Sequence, residues 1–453
     1  MPRSRRIPDA VSAEIAAAGH AEVVCVLRRP AAAGRREREQ RISRSFLSAT
    51  PAGSHGPACR NFPRLGVMIG YTDALGAAAL AADPAVEMLA PAAAPSLIRP
   101  VRRAPAASAR SAEPAWGVTA LEAPRLWRAG ITGAGVRIGH LDTGVDADHA
   151  ALRGRLAAWA EFDADGKRVT KSVPRDPDGH GTHTAGTLAG GKASGGAIGM
   201  APSAKLCSAM VIEGGRVLLR ILAGMEWVIG EGARVLSMSL GIRGYTPFAV
   251  ELMVRLREAG VLPVIAIGNE GPGTSRSPGN YPEALSVGAV DRRRRVADFS
   301  SSMRFERAVE PTAPDIVAPG VEIVSARAGG GREVMDGTSM ATPHVAGLAA
   351  LLIYARPAAT VAAVEAAILA SARPLAGEAD AIRYGRGLVN GPGALAALEG
   401  AVPASRTHAE AALAPGARTK AMLAGTGVVA VRARTRARTR TGATARRSGA
   451  GRS

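Results

Sequence analysis

The chain has 453 residues, 47% of them hydrophobic and only 3% aromatic, enough for two or three domains at roughly 150 residues each and for a large aliphatic core. No apolar run approaches the ~18 residues of a membrane span, so none is expected. The net charge of +19 belongs to the ends: 16 Lys/Arg stand against 9 Asp/Glu in residues 1–114, 30 against 28 in 115–400, and 11 against 1 in 401–453, which removes the central segment from the polyanion-binding class.

Cys25, Cys59 and Cys207 have neither metal-ligand spacing nor a disulfide framework. Cys207 lies in an apolar run and reads as buried packing. Residues 1–20 form an N-terminal extension, basic at Met1–Arg6 with no apolar stretch behind it. At face value this is no secretory signal, and the location is cytoplasmic; a wrongly assigned start codon would look the same. Residues 21–98 read as a small α/β unit, with strands at Ala21–Leu27, Leu65–Tyr71 and Val86–Ala90. A charged loop or helix falls at Arg35–Arg44 and a helix at Ala74–Ala82. Residues 99–115, rich in Ala, Pro, Arg and Ser, read as an exposed, cuttable linker.

From 116 to 399, short apolar runs alternate with helical patterns. Val136–Leu141, Lys205–Val211, Val235–Ser239, Val261–Ile267 and Ala284–Val290 are expected strands; Arg216–Gly230 and Phe248–Ala259 are expected helices. The fold class is α/β, a mostly parallel sheet with helices on both faces, whose chemistry sits at the carboxyl ends of the strands. Residues 400–453 form a low-complexity basic tail, Arg432–Arg440 at its centre, without an aromatic for base stacking. Binding of nucleic acid or another polyanion there is a secondary reading.

Three motifs carry chemistry. Asp142, in His140-Leu141-Asp142-Thr143-Gly144, closes a buried strand, where a carboxylate needs donors. An aspartic-protease reading would need a second Asp-Thr-Gly sharing a proton, and none occurs. In Asp178-Gly179-His180-Gly181-Thr182-His183 the histidines are three apart, without the spacing of four and the Glu of a helical zinc site. Flanking glycines leave His180 reachable, while His183 reads as structural. In Gly337-Thr338-Ser339 a serine begins an apolar helix, with Pro343 expected in its first turn. Alone it would be a capping serine. With Asp142 and His180 it completes the set for acyl transfer, in the order Asp, His, Ser.

These motifs, together with Ile198–Pro202, Ser237–Gly241 and Gly385–Asn390, make Trp116–Glu399 resemble the subtilisin-like serine peptidases. The resemblance implies a serine endopeptidase with Asp142, His180 and Ser339 as its triad. Asn269, in Gly268-Asn269-Glu270-Gly271, would join the Ser339 N–H as oxyanion donor, although alone it reads as a turn asparagine. It further implies a peptide paired beside Ser239, Leu240 and Gly241 and an edge near Gly214 and Gly215, with Ala266, Gly268 and Glu270 around the pocket. Glu270 and Arg276 border that pocket with opposite charges, leaving preference undecided. Gly70–Thr72 and Leu80–Val86 resemble an inhibitor-type propeptide, which implies a zymogen inhibited by its own residues 21–98 and matured within 99–115. An unrelated ferredoxin-like cap is the alternative. Ala151 stands where the family's strong calcium site uses an aspartate, so that site is not expected and calcium stays open; catalysis needs no cofactor and no metal residue is assigned. Protein or peptide substrates and a monomer are expected. The rival functions are a silent binding protein on this fold and an anionic-polymer binder acting through the tail.

Overall fold

The computed structural model describes residues 7–29, 34–54, 56–105, 113–192, 195–378 and 380–400; the expected basic tail at 400–453 lies outside them apart from Gly400, which ends a helix. The small domain starts before residue 21. Helix α1 (Asp9–Ala18) ends at Gly19, whose left-handed φ of 78° lets its N–H bond the Ile15 carbonyl. There follow β1 (Ala21–Leu27), α2 (Arg35–Ser43), β2 (Cys59–Phe62), β3 (Val67–Thr72), α3 (Ala74–Ala82) and β4 (Val86–Pro91), with the strands in antiparallel order β2-β3-β1-β4. Asp73 caps α3 by accepting from Gly76 N at 2.8 Å.

The period of two decides what each face does. Val23, Cys25, Leu27 and Met68 pack under α1 and α3. Val24, Val26, Val67 and Ile69 turn the other way and join an apolar cluster of the large domain.

Two short strands come next, β5 (Ser96–Leu97) and β6 (Arg102–Pro105). The expected linker at 99–115 is thereby corrected in part: its first residues are held as extended chain against the large domain.

The large domain supplies α4 (Trp116–Ala120), α5 (Ala123–Arg128), β7 (Arg137–Asp142), β8 (Leu156–Glu161), α6 (His180–Ala189) and β9 (Lys205–Met210). It continues with α7 (Val217–Gly230), β10 (Val235–Met238), β11 (Leu240–Arg243), α8 (Val250–Glu258), β12 (Leu262–Ala266), β13 (Arg276–Ser277) and β14 (Leu285–Val290). After a small ladder of β15 (Met303–Arg304) and β16 (Thr312–Ala313) come β17 (Ile316–Pro319), β18 (Ile323–Ala326) and β19 (Arg332–Asp336). Helices α9 (Thr338–Ala355), α10 (Val361–Ser371) and α11 (Gly391–Gly400) complete it. Seven strands form one parallel sheet in the order β17-β14-β12-β10-β7-β9-β8. Helices cover both faces, α6 and α9 on one and α7 and α8 on the other, as the two apolar clusters show.

Helix α9 is long and apolar enough by length and composition to cross a bilayer, yet 89% of it is buried inside the domain as its central helix. Pro343 stands in its interior rather than in its first turn, because the helix begins at Thr338. A proline there withholds the N–H that would bond the carbonyl four residues back. That carbonyl belongs to Ser339, and the Ser239 hydroxyl donates to it at 3.3 Å.

Candidate active site

Asp142 ends β7, between β10 and β9, and is buried. Its Oδ1 accepts from Thr143 N at 2.8 Å and from His180 Nδ1 at 2.6 Å, and its Oδ2 accepts from the Thr184 hydroxyl at 3.2 Å. Burial pushes the carboxyl upward, but the His180 imidazole beside it prevails, with the Thr143 N–H adding, and Asp142 is held below its ordinary range.

His180 opens α6, and the turn before it is organised by a residue the sequence reading passes over. Asp176 accepts from Gly179 N at 2.9 Å, from Thr182 N and the Thr182 hydroxyl at 2.6 Å each, and from the Thr143 hydroxyl at 2.8 Å. It caps α6 and ties that helix to the Asp142 loop. The signal was an Asp four residues before a histidine, which alone is too common to read. Burial pulls the His180 pKa down, but Asp142 outweighs this, with Asp178 and Asp176 assisting, so the ring is held above the ordinary imidazole value. Its Nε2 is buried and makes no hydrogen bond among the described residues. His183 is structural, as its surroundings in the motif suggest: Nε2 donates to the Ile323 carbonyl at 3.0 Å, and burial pushes its pKa down to about 3.

A second histidine lies behind the aspartate. His140 is buried, with Nδ1 2.9 Å from the Ser208 hydroxyl and Nε2 2.9 Å from the Thr184 hydroxyl. Burial lowers its pKa despite Asp142 and Asp176, so it is neutral. The donors then line up one way if Thr184 is to serve Asp142. Ser208 donates to His140 Nδ1, His140 Nε2–H donates to Thr184, and Thr184 donates to the carboxylate.

Ser339 is the second residue of α9, where N–H groups lack helical partners. Asn269 follows β12 through Gly268, whose φ is 126°. Its Oδ1 accepts from Thr338 N at 2.9 Å and from the Thr338 hydroxyl at 2.8 Å. These donors fix which side of the amide is oxygen, and turn Nδ2 outward.

The chain itself runs through this site as an extended segment. Strand β5 lies antiparallel to β11, Leu97 opposite Leu240 and Ser96 opposite Gly241. Ile98 N donates to the Ser239 carbonyl at 3.1 Å. The Ser339 hydroxyl donates to the Ile98 carbonyl at 2.7 Å, and Asn269 Nδ2 donates to the Arg99 carbonyl at 2.9 Å. Val101 N then bonds the Asp336 carbonyl at 2.8 Å, and β6 pairs antiparallel with β19.

Ser239, Leu240 and Gly241 thus meet an extended chain. Gly214 and Gly215 do not pair with it: their φ values of 84° and 75° are those of a turn, not of an edge strand, and β5 is itself the edge of its three-stranded sheet. Ala266 is the buried end of β12, and a side chain on Gly268 would come within 2.7 Å of Glu270 Oε2. Glu270 and Arg276 meet as an ion pair, Arg276 Nε to Oε1 at 2.9 Å. Arg276 Nη1 also donates to the Ser96 hydroxyl at 2.9 Å and to the Gly241 carbonyl at 3.3 Å. Burial pushes Glu270 up, but the Arg276 hydrogen bonds prevail and hold it low. Glu270, Arg276, Ser96, Ile98, Arg99 and Asn269 line a cleft of about 540 Å³. Ala151 is buried, its N–H on His149 Nδ1 at 3.1 Å.

An α/β sheet of this topology, with a buried carboxylate–imidazole pair at a strand end and a helix-borne serine and an amide donor on successive carbonyls of one extended segment, is the setting of a serine-type hydrolase. Residues 133–387 match the model of the subtilase family, Peptidase S8. The chain is 37% identical over 243 residues to an intracellular serine protease of Paenibacillus polymyxa, covering 52% of this chain and 72% of that one. It is 35% identical over 282 residues to subtilisin E of Bacillus subtilis (61% and 69% covered), and 36% over 277 residues to subtilisin Savinase of Lederbergia lenta (61% and 96% covered). The chain belongs to the subtilase family. It is a serine endopeptidase, and its substrates are proteins.

Proposed function

We propose that Ser339 is the nucleophile, His180 the proton carrier and Asp142 the group that orients and charges it. Ser339 Oγ bonds to the substrate carbonyl carbon while its proton passes to His180 Nε2. The oxyanion is taken by Asn269 Nδ2 and Ser339 N–H. Collapse breaks the C–N bond and His180 returns the proton to the departing amine. Water repeats the sequence on the acyl-enzyme. Asp142 stays ionised throughout. Side chains and backbone amides of one chain suffice for every step, which supports a working monomer without a cofactor.

We further propose that residues 7–98 are an intramolecular inhibitor and that maturation cuts within 99–115. The supporting observation is the split engagement of the bound segment: the Ser339 hydroxyl meets the Ile98 carbonyl, while Asn269 meets that of Arg99. Attack requires one carbonyl to answer to both groups. The segment therefore fills the site with the Ser339 hydroxyl on the carbonyl before the one Asn269 holds, a geometry not set for attack, and that hydroxyl is given to Ile98 rather than to His180. Departure of Ile98 frees that hydroxyl for His180 Nε2.

The test is labelling by a fluorophosphonate with mass-spectrometric localisation, run beside Ser339→Ala. Label on Ser339, and a wild-type N-terminus falling between 99 and 115, support the reading. Label elsewhere sinks the assignment of the nucleophile. Processing of Ser339→Ala with no other protease present sinks self-maturation alone.

A further inference from the structure

The bound segment is fastened on its leaving-group side by charge, in a seat of definite shape. In the pairing of β6 with β19, Arg103 stands opposite Met335. Its guanidinium donates twice to Glu333, Nε to Oε2 at 2.8 Å and Nη2 to Oε1 at 3.3 Å. Nη1 donates to the Asp178 carbonyl at 2.7 Å, with the Asp178 carboxylate 3.7 Å away. Behind the guanidinium lies Gly179, and a Cβ on that glycine would overlap Nη2. The Glu333 side chain is 4% exposed, and among the described residues its hydrogen bonds come from Arg103. By contrast Arg99 and Arg102, 73% and 52% exposed, meet Asp178, Glu322 and Asp336 at the surface, where ion pairs weigh little.

The seat suits a planar fork. A carboxylate takes two parallel N–H groups, a carbonyl takes a third, and a glycine leaves room for the plane; an ammonium could not satisfy all three. A substrate that displaces the segment runs along the same edge of β19 and leaves Glu333 with no cation unless it brings one. A buried carboxylate without a partner is costly.

We propose that Glu333, the Asp178 carbonyl and Gly179 form an arginine-selecting subsite for the leaving-group half of protein substrates. Asn269 holds the Arg99 carbonyl, and Arg103 is the fourth residue beyond it, so the selected arginine is the fourth residue after the cut bond. The inference rests on the peptidase reading and specifies its substrate class.

The experiment uses the full chain, self-processed and titrated with a fluorophosphonate. Fluorogenic peptides differ only at the fourth residue after the cut: arginine, its uncharged isostere citrulline, lysine, alanine or glutamate. The arginine peptide is expected to have a kcat/KM about tenfold above those of citrulline and alanine, with lysine between them and glutamate lowest. In Glu333→Gln the arginine-to-alanine ratio is expected to fall below about twofold. An arginine-to-citrulline ratio near one in the wild type overturns the subsite without recourse to any variant, and so does a preference that survives Glu333→Gln. Either result leaves the peptidase reading standing. A preparation that takes the label in a parallel aliquot, yet unlabelled cuts none of the peptides, overturns both.

Discussion

Thr184→Val tests whether the residues behind Asp142 act on catalysis or only fill space. The change is nearly isosteric, so it opens no cavity. It removes a hydroxyl 3.2 Å from Asp142 Oδ2 and 2.9 Å from His140 Nε2. One loss strands the buried His140 N–H, at about 1–3 kcal/mol; the other takes a donor from a charged acceptor, at about 1.5–3 kcal/mol. The valine methyl recovers part of this by burial, so a net destabilisation of about 2–4 kcal/mol is expected. For the rate, removing the whole aspartate costs on the order of 10⁴, a value measured on subtilisin itself, this chain's own family. One of its three hydrogen bonds should cost a fraction of that, about 5–30-fold in kcat/KM, or about 1–2 kcal/mol.

The pH dependence gives a sharper reading. His180 is held above the ordinary imidazole pKa by Asp142, and in the proposed mechanism only its neutral form takes the serine proton. Activity therefore rises with pH as that group deprotonates. A carboxylate relieved of the Thr184 donor is more basic and grips the imidazolium harder, so the acid limb moves to higher pH. The assay is kcat/KM on a fluorogenic peptide from about pH 5 to about pH 10, with Thr184→Ser as the variant that keeps the hydroxyl. A valine profile superimposable on that of the wild type, limb and plateau alike, refutes the reasoning.

Three further outcomes are expected. Ser339→Ala abolishes peptide hydrolysis and leaves the precursor intact on a gel; residual turnover within about 10³ of wild type would exclude Ser339 as the nucleophile. Asn269→Ala lowers kcat by roughly 10²–10³ with little change in KM, a magnitude again measured on subtilisin; a loss confined to KM would show that the amide only binds. Gly347→Ala, read in the Ser339→Ala background to prevent autolysis, would place a Cβ 2.5 Å from Met200 Cβ and 3.2 Å from the Leu188 carbonyl. It should destabilise by about 1–3 kcal/mol in thermal unfolding, and an unchanged Tm would contradict that packing.

The elements legible in the sequence were those whose signal is local. Ala74–Ala82 and Ala21–Leu27 have the bounds the pattern implies, because each carries its own periodicity. Asp142 and His180 were legible because glycines and a strand end frame them. Strands β5 and β6 were not: they are two and four residues long, and what makes them strands is a partner edge far along the chain. Gly214 and Gly215 misled because glycine is as much at home in a turn of positive φ as beside a substrate. Pro343 misled because a proline is at home in a first turn, whereas a helix that begins at Thr338 holds it in the interior. The support behind Asp142, made by His140, Thr184 and Ser208, is assembled from three separate elements, so no single stretch announces it.

The face shared by the two domains has a consequence for timing. Val24, Val26, Val67 and Ile69 of the small sheet belong to the same apolar cluster as Leu219, Leu222, Phe248, Leu252 and Leu256. Around it, Glu226 accepts from Arg64 N at 2.9 Å and Leu65 N at 3.1 Å, and Arg255 donates to the Leu27 carbonyl at 3.3 Å. Severing the backbone would touch none of these contacts. Under the proposed maturation, a nicked molecule would still carry its plug, and the wait before it began work would be set by how slowly two greasy surfaces part, or by how soon a first free molecule digests the plugs of its neighbours. Onset should then be a lag followed by a sudden rise, steeper in concentrated samples than in dilute ones.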